Sequence, residues 1–430
     1  MAKLVYDDAG RLLFTQEMKK EYTLLMPQML PVHFTMMQRC FQIHGYKVDM
    51  LTTNHRGIVD EGLKYVHNDT CYPAILVIGQ LIDAVKHSGY DPHKVGLLIT
   101  QTGGGCRASN YIHLLRKALK KAGMAYIPVV SVNLSGLEKN PGFSLTLQMI
   151  REMVFSMMYG DILVQTANQC RPYETEPGAT DRLVSDWIKR LIGGFRNGKG
   201  LNFAAVELNF SRIVKDFAAL PRTDEKKLRV GVVGEIYIKY APLGNNNLEE
   251  FLLSEGVEPV VPGLTDFIIF KIYNREVDVD LYGGSRLKRF VAREFRRYVE
   301  KCQSAMIRAM EKGGFRAPEP FGRLHELVKP YLGDGNKMGE GWLLTAEMLE
   351  LIHSGTGNIV CTQPFGCLPN HVVGKGMIRA LKDDYPMSNI VAIDYDAGAT
   401  KINQENRIKL MLANARRIAS EGQEKEAAHV

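Results

Sequence analysis

KVGLLITQTGGGCRASNYIHLLRKALKKAG, residues 94–123, decides the fold. Its first part, VGLLIT, is a continuous apolar run without alternation, the pattern of a strand buried on both faces. Three glycines (Gly103, Gly104, Gly105) and Cys106 follow, and then an amphipathic stretch, Ser109–Gly123, that reads as a helix closed by its last glycine. Strand, glycine loop and helix in that order form the repeating step of a parallel α/β sheet. The loop then falls at the carboxyl end of the strand, where such sheets bind ligands.

The same alternation extends in both directions. Before this segment, YTLLMPQM (22–29) reads as a strand, residues 31–44 as a helix, and Tyr72–Gly89 as a second helix. After it come AYIPVVSVNLSG (125–136) as a strand and the methionine-rich LTLQMIREMVFSMMYG (145–160) as a helix. Residues 160–222 read as mostly helical, and PRTDEKK (221–227) is polar and contains a proline. A second alternation opens with LRVGVVGEIYI (228–238) as a strand. It continues through a helix at NNNLEEFLLSEG and a strand at VEPVVPG, then long helices over about 268–330. GWLLTAEMLELIHSG is a helix, NIVC a strand end, and NIVAIDY (389–395) a strand before a last helix from about 401. The fold class is α/β, with parallel sheets covered by helices. The expected domains are 1–225, with a helical extension, and 226–430, and EGQEKEAAHV (421–430) is expected to fray.

Composition agrees with this reading. The 430 residues are 45% apolar and 23% charged, ordinary values for a globular chain of two or three domains. No window approaches the roughly 18 uninterrupted apolar residues of a spanning helix, and MAKLVYDDAGRLLF is acidic before any apolar run. A cytoplasmic protein without membrane contact is expected. Lys and Arg total 54 against 47 for Asp and Glu, with the basic residues dispersed. The densest run, SRLKRFVAREFRRYVEK (285–301), reads as a solvated helix face, so no nucleic-acid partner is expected.

Seven cysteines, an odd number, argue against a disulfide framework. Cys71 directly precedes Tyr72-Pro73, and proline is favoured in a helix's first turn. The thiol therefore belongs at a helix N-terminus, where free N–H groups favour thiolate. Cys106 ends the glycine loop, and Cys361 and Cys367 bracket CTQPFGC at a strand's end before Leu368-Pro369. Four cysteines thus share strand-end or helix-start loops. Cys170, in ANQCRPYE, is ambiguous, whereas Cys40 and Cys302 lie inside amphipathic helices as buried hydrophobes. The long separations do not suit the short C-x2-4-C knuckles of structural zinc, and they favour an iron–sulfur cluster, whose thiolates come from separate loops. A dispersed set of structural cysteines is the other reading.

Weaker constellations have local explanations beside functional ones. His67, Asn68 and Asp69 suit turn chemistry or proton handling. Glu235 and Asn245–Asn247 include at least one helix cap. Asp394 and Asp396 are a metal pair or a strand-end loop, and Gly374-Lys375-Gly376 is a turn or an anion site. No Walker pattern and no G-x-S-x-G is present.

HNDTCYPAILVIGQLIDA (67–84), ITQTGGGCRASNYIHLLRKALKKAG (99–123), LSGLEKNPGF (134–143), RPYE (171–174), VGVVGEIYIKYAPLGNNNLEEFL (230–252) and NIVCTQPFGCLPNHVVGKGMI (358–378) carry a resemblance over nearly the whole chain. AIDYDAG (392–398) and NQENRIKLML (403–412) extend it. The chain resembles the C-terminal portion of the large 2-hydroxyacyl-CoA dehydratase activase-related proteins of anaerobic bacteria. That portion is similar to the dehydratase D-component and to the double-cubane cluster proteins. The resemblance implies two or more Rossmann-like domains with an oxygen-sensitive iron–sulfur cluster in the inter-domain cleft. It maps the cluster cysteines onto Cys71, Cys106, Cys361 and Cys367; Cys170 is an additional candidate from its own context alone. It also implies electrons delivered by an ATP-dependent activase, itself carrying a 4Fe–4S cluster in an actin-like fold.

No activase ATPase domain lies within the stretch and no separate CoA motif is evident. The expected function is an iron–sulfur protein that accepts low-potential electrons and reduces a small substrate. The alternatives are a radical 2-hydroxyacyl-CoA dehydratase-like subunit acting on an acyl-CoA, or a non-catalytic electron-relay or scaffold subunit. Ligand count favours one 4Fe–4S cube over a double-cubane 8Fe–9S assembly, which would use about six thiolates. Thr102 and the loop N–H groups are candidate donors to the cluster sulfurs. A homodimer is expected, with the methionine-rich helix 145–160 serving as interface or as core.

Overall fold

The computed structural model describes residues 2–101, 105–132, 138 and 140–427. Among the described residues are eight strands: β1 (Thr23–Pro27), β2 (Lys47–Leu51), β3 (Val95–Thr100), β4 (Val129–Val132), β5 (Arg229–Gly234), β6 (Glu258–Val260), β7 (Asn358–Pro364) and β8 (Asn389–Tyr395). They form two four-stranded sheets of order β2-β1-β3-β4 and β6-β5-β7-β8, in which every pairing is parallel. The α/β class and the two Rossmann-like parallel sheets are therefore as the sequence indicated. The uninterrupted apolar runs explain why: five of the six residues of β3 are buried, and so are five of six in β5 and six of seven in β7.

The two sheets repeat one strand order. In each, the first strand lies inside, the second pairs on one side, and the third and fourth pair on the other. The order reverses between β1 and β3 and again between β5 and β7, so each sheet has a switch point at the carboxyl ends of those strands. Among the described residues, no helix is long and apolar enough to cross a membrane.

By internal contacts the chain divides into two compact units. One comprises Met1–Ser156, Leu191–Leu201 and Tyr240–Gly244, and the other Met157–Arg190, Asn202–Lys239 and Asn245–Val430. The break expected near residue 225 falls within the second unit, in the connection between the helix Phe203–Ala218 and β5.

Three local readings change. β2 and the helix Arg56–Tyr65 carried no sequence signal strong enough to be named. β5 stops at Gly234, four residues short of the expected end, and a helix begins at Ile236. Gly234 has φ +139°, and a Cβ there would lie 2.1 Å from Thr362 Oγ1 and 2.2 Å from the Thr362 carbonyl oxygen. Only glycine lets β5 approach β7 so closely while the chain turns away. Last, the C-terminal helix Lys401–Ala427 continues through most of the stretch expected to fray.

The helix carrying Cys71 at its start is set by a close crossing. A Cβ on Gly62 would meet the Ile75 carbonyl oxygen at 2.3 Å, and one on Gly79 would meet the Ile58 carbonyl oxygen at 2.2 Å. Helices Arg56–Tyr65 and Tyr72–His87 therefore touch backbone to backbone. Gly79→Ala is expected to lower stability by about 1–3 kcal/mol or more, since backbone cannot yield as a side-chain tip can. Urea unfolding measures this, and an unchanged midpoint would show the crossing is looser.

Candidate functional site

Cys71 occupies the N-cap of the helix Tyr72–His87, with proline in its first turn, as its Cys-Tyr-Pro sequence implied. Its side chain makes no capping bond, it is 6% exposed, and Sγ lies 2.8 Å from Tyr111 Oη. Tyr111 opens the helix Tyr111–Lys121 that follows the glycine loop. The partner is 40 residues away in sequence, and only the fold brings it there. The contact ties the Cys71 thiol to the loop at the carboxyl end of β3, one of the two strands at the switch point of the first sheet.

Cys106 is the half-buried N-cap of the single 3-10 turn Arg107–Asn110. The loop's two ends are fastened together: Gln101 Nε2 donates to the Ser109 carbonyl at 2.9 Å, and Ser131 Oγ on β4 donates to Gln101 Oε1 at 3.0 Å. Thr102, Gly103 and Gly104 lie outside the described residues. Cys106 is five residues from Tyr111, the residue that contacts Cys71. The first unit thus places two thiols around one loop and one helix start.

In the second unit Cys367 repeats the Cys71 arrangement: it is half-buried at the N-cap of Leu368–Val373, with proline in the first turn. Cys361 departs from the expected loop. It is the fourth residue of β7, fully buried, and paired in register with Val233 and Ala392. Burial, then the charges of Glu347 and Asp394, push its thiol up to about 12. Cys170 is fully buried, and burial pushes its thiol up to about 11, against the lowering effect of Arg222, whose Nη1 lies 3.9 Å from Sγ. Cys40 and Cys302 are buried in helices, with thiols raised to about 12 and about 11, as hydrophobic cysteines should be.

Fit to a cluster separates these groups. Thiolates are the ligands, so thiols held neutral by burial suit the role poorly, and those at helix starts suit it well. Cys71, Cys106 and Cys367 stand at helix starts, whereas burial raises the thiols of Cys361 and Cys170. Among the described residues, no three His, Cys, Asp or Glu side chains converge as a metal ion would require. At the carboxyl end of β7, however, fully buried Gln363 leaves both amide atoms without partners, and fully buried Asn370 leaves Oδ1 so. Orphaned polar atoms in such a place suit a polar guest, a water at the least.

The weaker constellations resolve into structure. His67 and Asp69 are exposed and close a local turn, with the Asp69 N–H donating to His67 Nδ1 at 3.2 Å. Asp394 pairs with Lys375 at 3.1 Å and Arg407 at 3.6 Å, and Asp396 accepts the Ala399 N–H at 2.8 Å in a turn. Asn245 Oδ1 caps the helix Leu248–Ser254 through the Leu248 N–H at 3.1 Å.

A buried ionic group went unseen in the sequence. Lys239 Nζ donates to Glu347 Oε1 and Oε2 at 2.8 and 3.0 Å, both residues being 3% exposed or less. The signal was present as Glu347 and Glu350 inside the otherwise apolar LLTAEMLELI. Glu235, at the carboxyl end of β5, accepts the Ile238 N–H at 2.9 Å, while Glu340 accepts that of Ile236 at 3.1 Å. Burial and the Glu340 charge push the Glu235 carboxyl up to about 8. A carboxyl raised in the folded state contributes stability below its ordinary value of 4.5 and loses that contribution as pH rises to about 8. Glu235→Gln should therefore be more stable than wild type at pH 8, by about 1–3 kcal/mol, with the gain vanishing near pH 4.5. Urea unfolding at both pH values is the check; an equal difference at both would be contrary.

No protein-family model matches the chain, and no curated protein matches it.

Proposed function

We propose that the chain is an iron–sulfur protein in which Cys71 and Cys106 supply thiolate ligands. It would receive low-potential electrons from an ATP-dependent activase and pass them to a small substrate. The observation that carries this reading is the Cys71 thiol: it stands at a helix start, 2.8 Å from the tyrosine that opens the helix after the Cys106 loop. A bound cluster supplies one-electron chemistry at low potential. The chain's part is to favour thiolate at Cys71 through the N–H groups of the first helical turn and to direct the Tyr111 hydroxyl at the sulfur. It also keeps the site beside a sheet's switch point, where parallel sheets bind ligands. Two bridged cubes would use about six thiolates, so a single 4Fe–4S cube is the reading for nuclearity.

Anaerobic reconstitution with iron and sulfide tests the proposal. Iron and acid-labile sulfide in equal amounts, with an EPR signal on reduction, would support it. Colourless, iron-free protein would overturn it.

A further inference from the structure

The helix Arg286–Lys312 is 27 residues long and changes its environment halfway. Along one edge, apolar residues recur every three or four positions from Leu287 to Met310. From Val299 onward that edge is core, with Val299, Cys302, Ala305 and Met306 each 2% exposed or less. Before Val299 the same edge is bare. Leu287 is 71% exposed, Phe290 and Val291 are 59%, Phe295 is 42% and Tyr298 is 37%. Leu281 and Tyr282, at the end of the preceding helix Leu264–Tyr282, add 51% and 72%. Large apolar side chains this exposed are unremarkable singly, but a continuous stripe of them marks an interface.

The opposite edge limits what covers the stripe. Residues 281–298 contain six basic side chains and one acid, which would suit a polyanion if they were free. Four of the six are paired within the chain: Arg289 with Asp280 at 2.8 Å, Arg293 with Glu276 at 3.0 Å, Arg296 with Glu276 and Glu300 at 2.6 and 2.5 Å, and Arg297 with Glu294 at 2.6 Å. Three of the four pair with acids of the preceding helix and Arg297 with Glu294 of its own, while Arg286 and Lys288 are exposed at the helix start. What remains outward is mainly apolar, with Arg286 and Lys288 flanking Leu287 at its start.

We infer that this stripe is a self-association surface, on which the same segment of a second copy packs across a two-fold axis. An isologous contact needs a face complementary to itself, and a mainly apolar stripe meets that condition. The area suffices. At about half exposure, and roughly 200 Å² for a large side chain, the seven residues offer on the order of 800 Å². That is the share each partner buries in a standard interface, about 800 Å². The methionine-rich helix, for which the sequence left interface and core both open, has Met149, Met153 and Met158 buried.

The inference is independent of any cluster, and the full chain tests it with and without iron reconstitution. Sedimentation velocity across the micromolar range is expected to show twice the chain mass in both preparations. Leu287→Asp with Phe290→Asp should weaken association by ~100-fold or more, leaving the far-UV circular dichroism unchanged. Phe290→Ser, a milder change, should shift the equilibrium the same way. Leu208→Asp, at a half-exposed leucine on another helix, should leave the dimer intact. Three results would each overturn the inference: a monomeric wild type throughout, a Leu287/Phe290 variant that dimerises normally, or a monomer that pellets with anionic phospholipid vesicles.

Discussion

Cys71→Ser is expected to abolish most iron binding in anaerobically reconstituted protein, and Cys106→Ser to do the same. A serine hydroxyl stays protonated where a helix-start thiol ionises, so the substitution removes an anionic ligand while hardly changing volume. Tyr111→Phe should retain the iron, because the tyrosine acts on the sulfur from outside the ligand set, 2.8 Å away. Cys40→Ser and Cys302→Ser should retain it also, their thiols being buried in helices and held neutral. Cys361→Ser separates two readings. The sequence resemblance places Cys361 among the ligands, whereas its burial in the middle of β7 predicts retained iron with reduced stability. Iron and sulfide analysis of the five serine variants and Tyr111→Phe decides between them. Full iron content in Cys71→Ser would remove the proposed site.

Lys239→Met should cost about 3–5 kcal/mol, because it leaves Glu347 buried without its cation. Burial already raises the Glu347 carboxyl, and Lys239 is what pulls it back. Without the lysine, the carboxyl rises further above its ordinary 4.5, and the folded state must keep it protonated. The sign follows from linkage. A raised carboxyl stabilises the fold below its unfolded value and withdraws that contribution as pH rises, so the deficit of Lys239→Met should be smaller near pH 5 than at pH 8. Adding Glu347→Leu should restore much of the loss, since replacing both members of a buried pair with apolar groups is often close to neutral. Urea unfolding of the single and double variants at the two pH values measures all three effects. A single variant within 1 kcal/mol of wild type would mean, in the terms of exposed pairs, that the ion pair is solvated.

Much of the fold was legible because its signals are local. VGLLIT and NIVAIDY read as strands from apolar continuity alone, and Gly89 and Gly123 announced two helix ends, each with φ above +70°. The Cys-x-Pro sequences at Cys71 and Cys367 announced N-caps for the same reason: proline's fixed φ and missing N–H suit a first turn and little else. Where the local signal was equivocal, the reading slipped. GEIYI has the composition of a strand, yet Glu235 can also cap a helix through the Ile238 N–H, and the contact of Gly234 with Thr362, 128 residues away, decides for the helix.

By itself, then, the sequence determined the α/β class, the buried parallel strands and the cysteines that begin helices, all through patterns a few residues long. Tertiary structure alone decided the order of the strands, the Tyr111 partner of Cys71, the depth of Cys361 in β7 and the union of Lys239 with Glu347 across 108 residues. It also decided that one apolar stripe is core beyond Val299 and bare before it. The physical reason is common to all of these. Backbone dihedral preferences and apolar periodicity act along the chain, whereas pairing, burial and the neutralisation of charge depend on which distant segments the folded chain brings together.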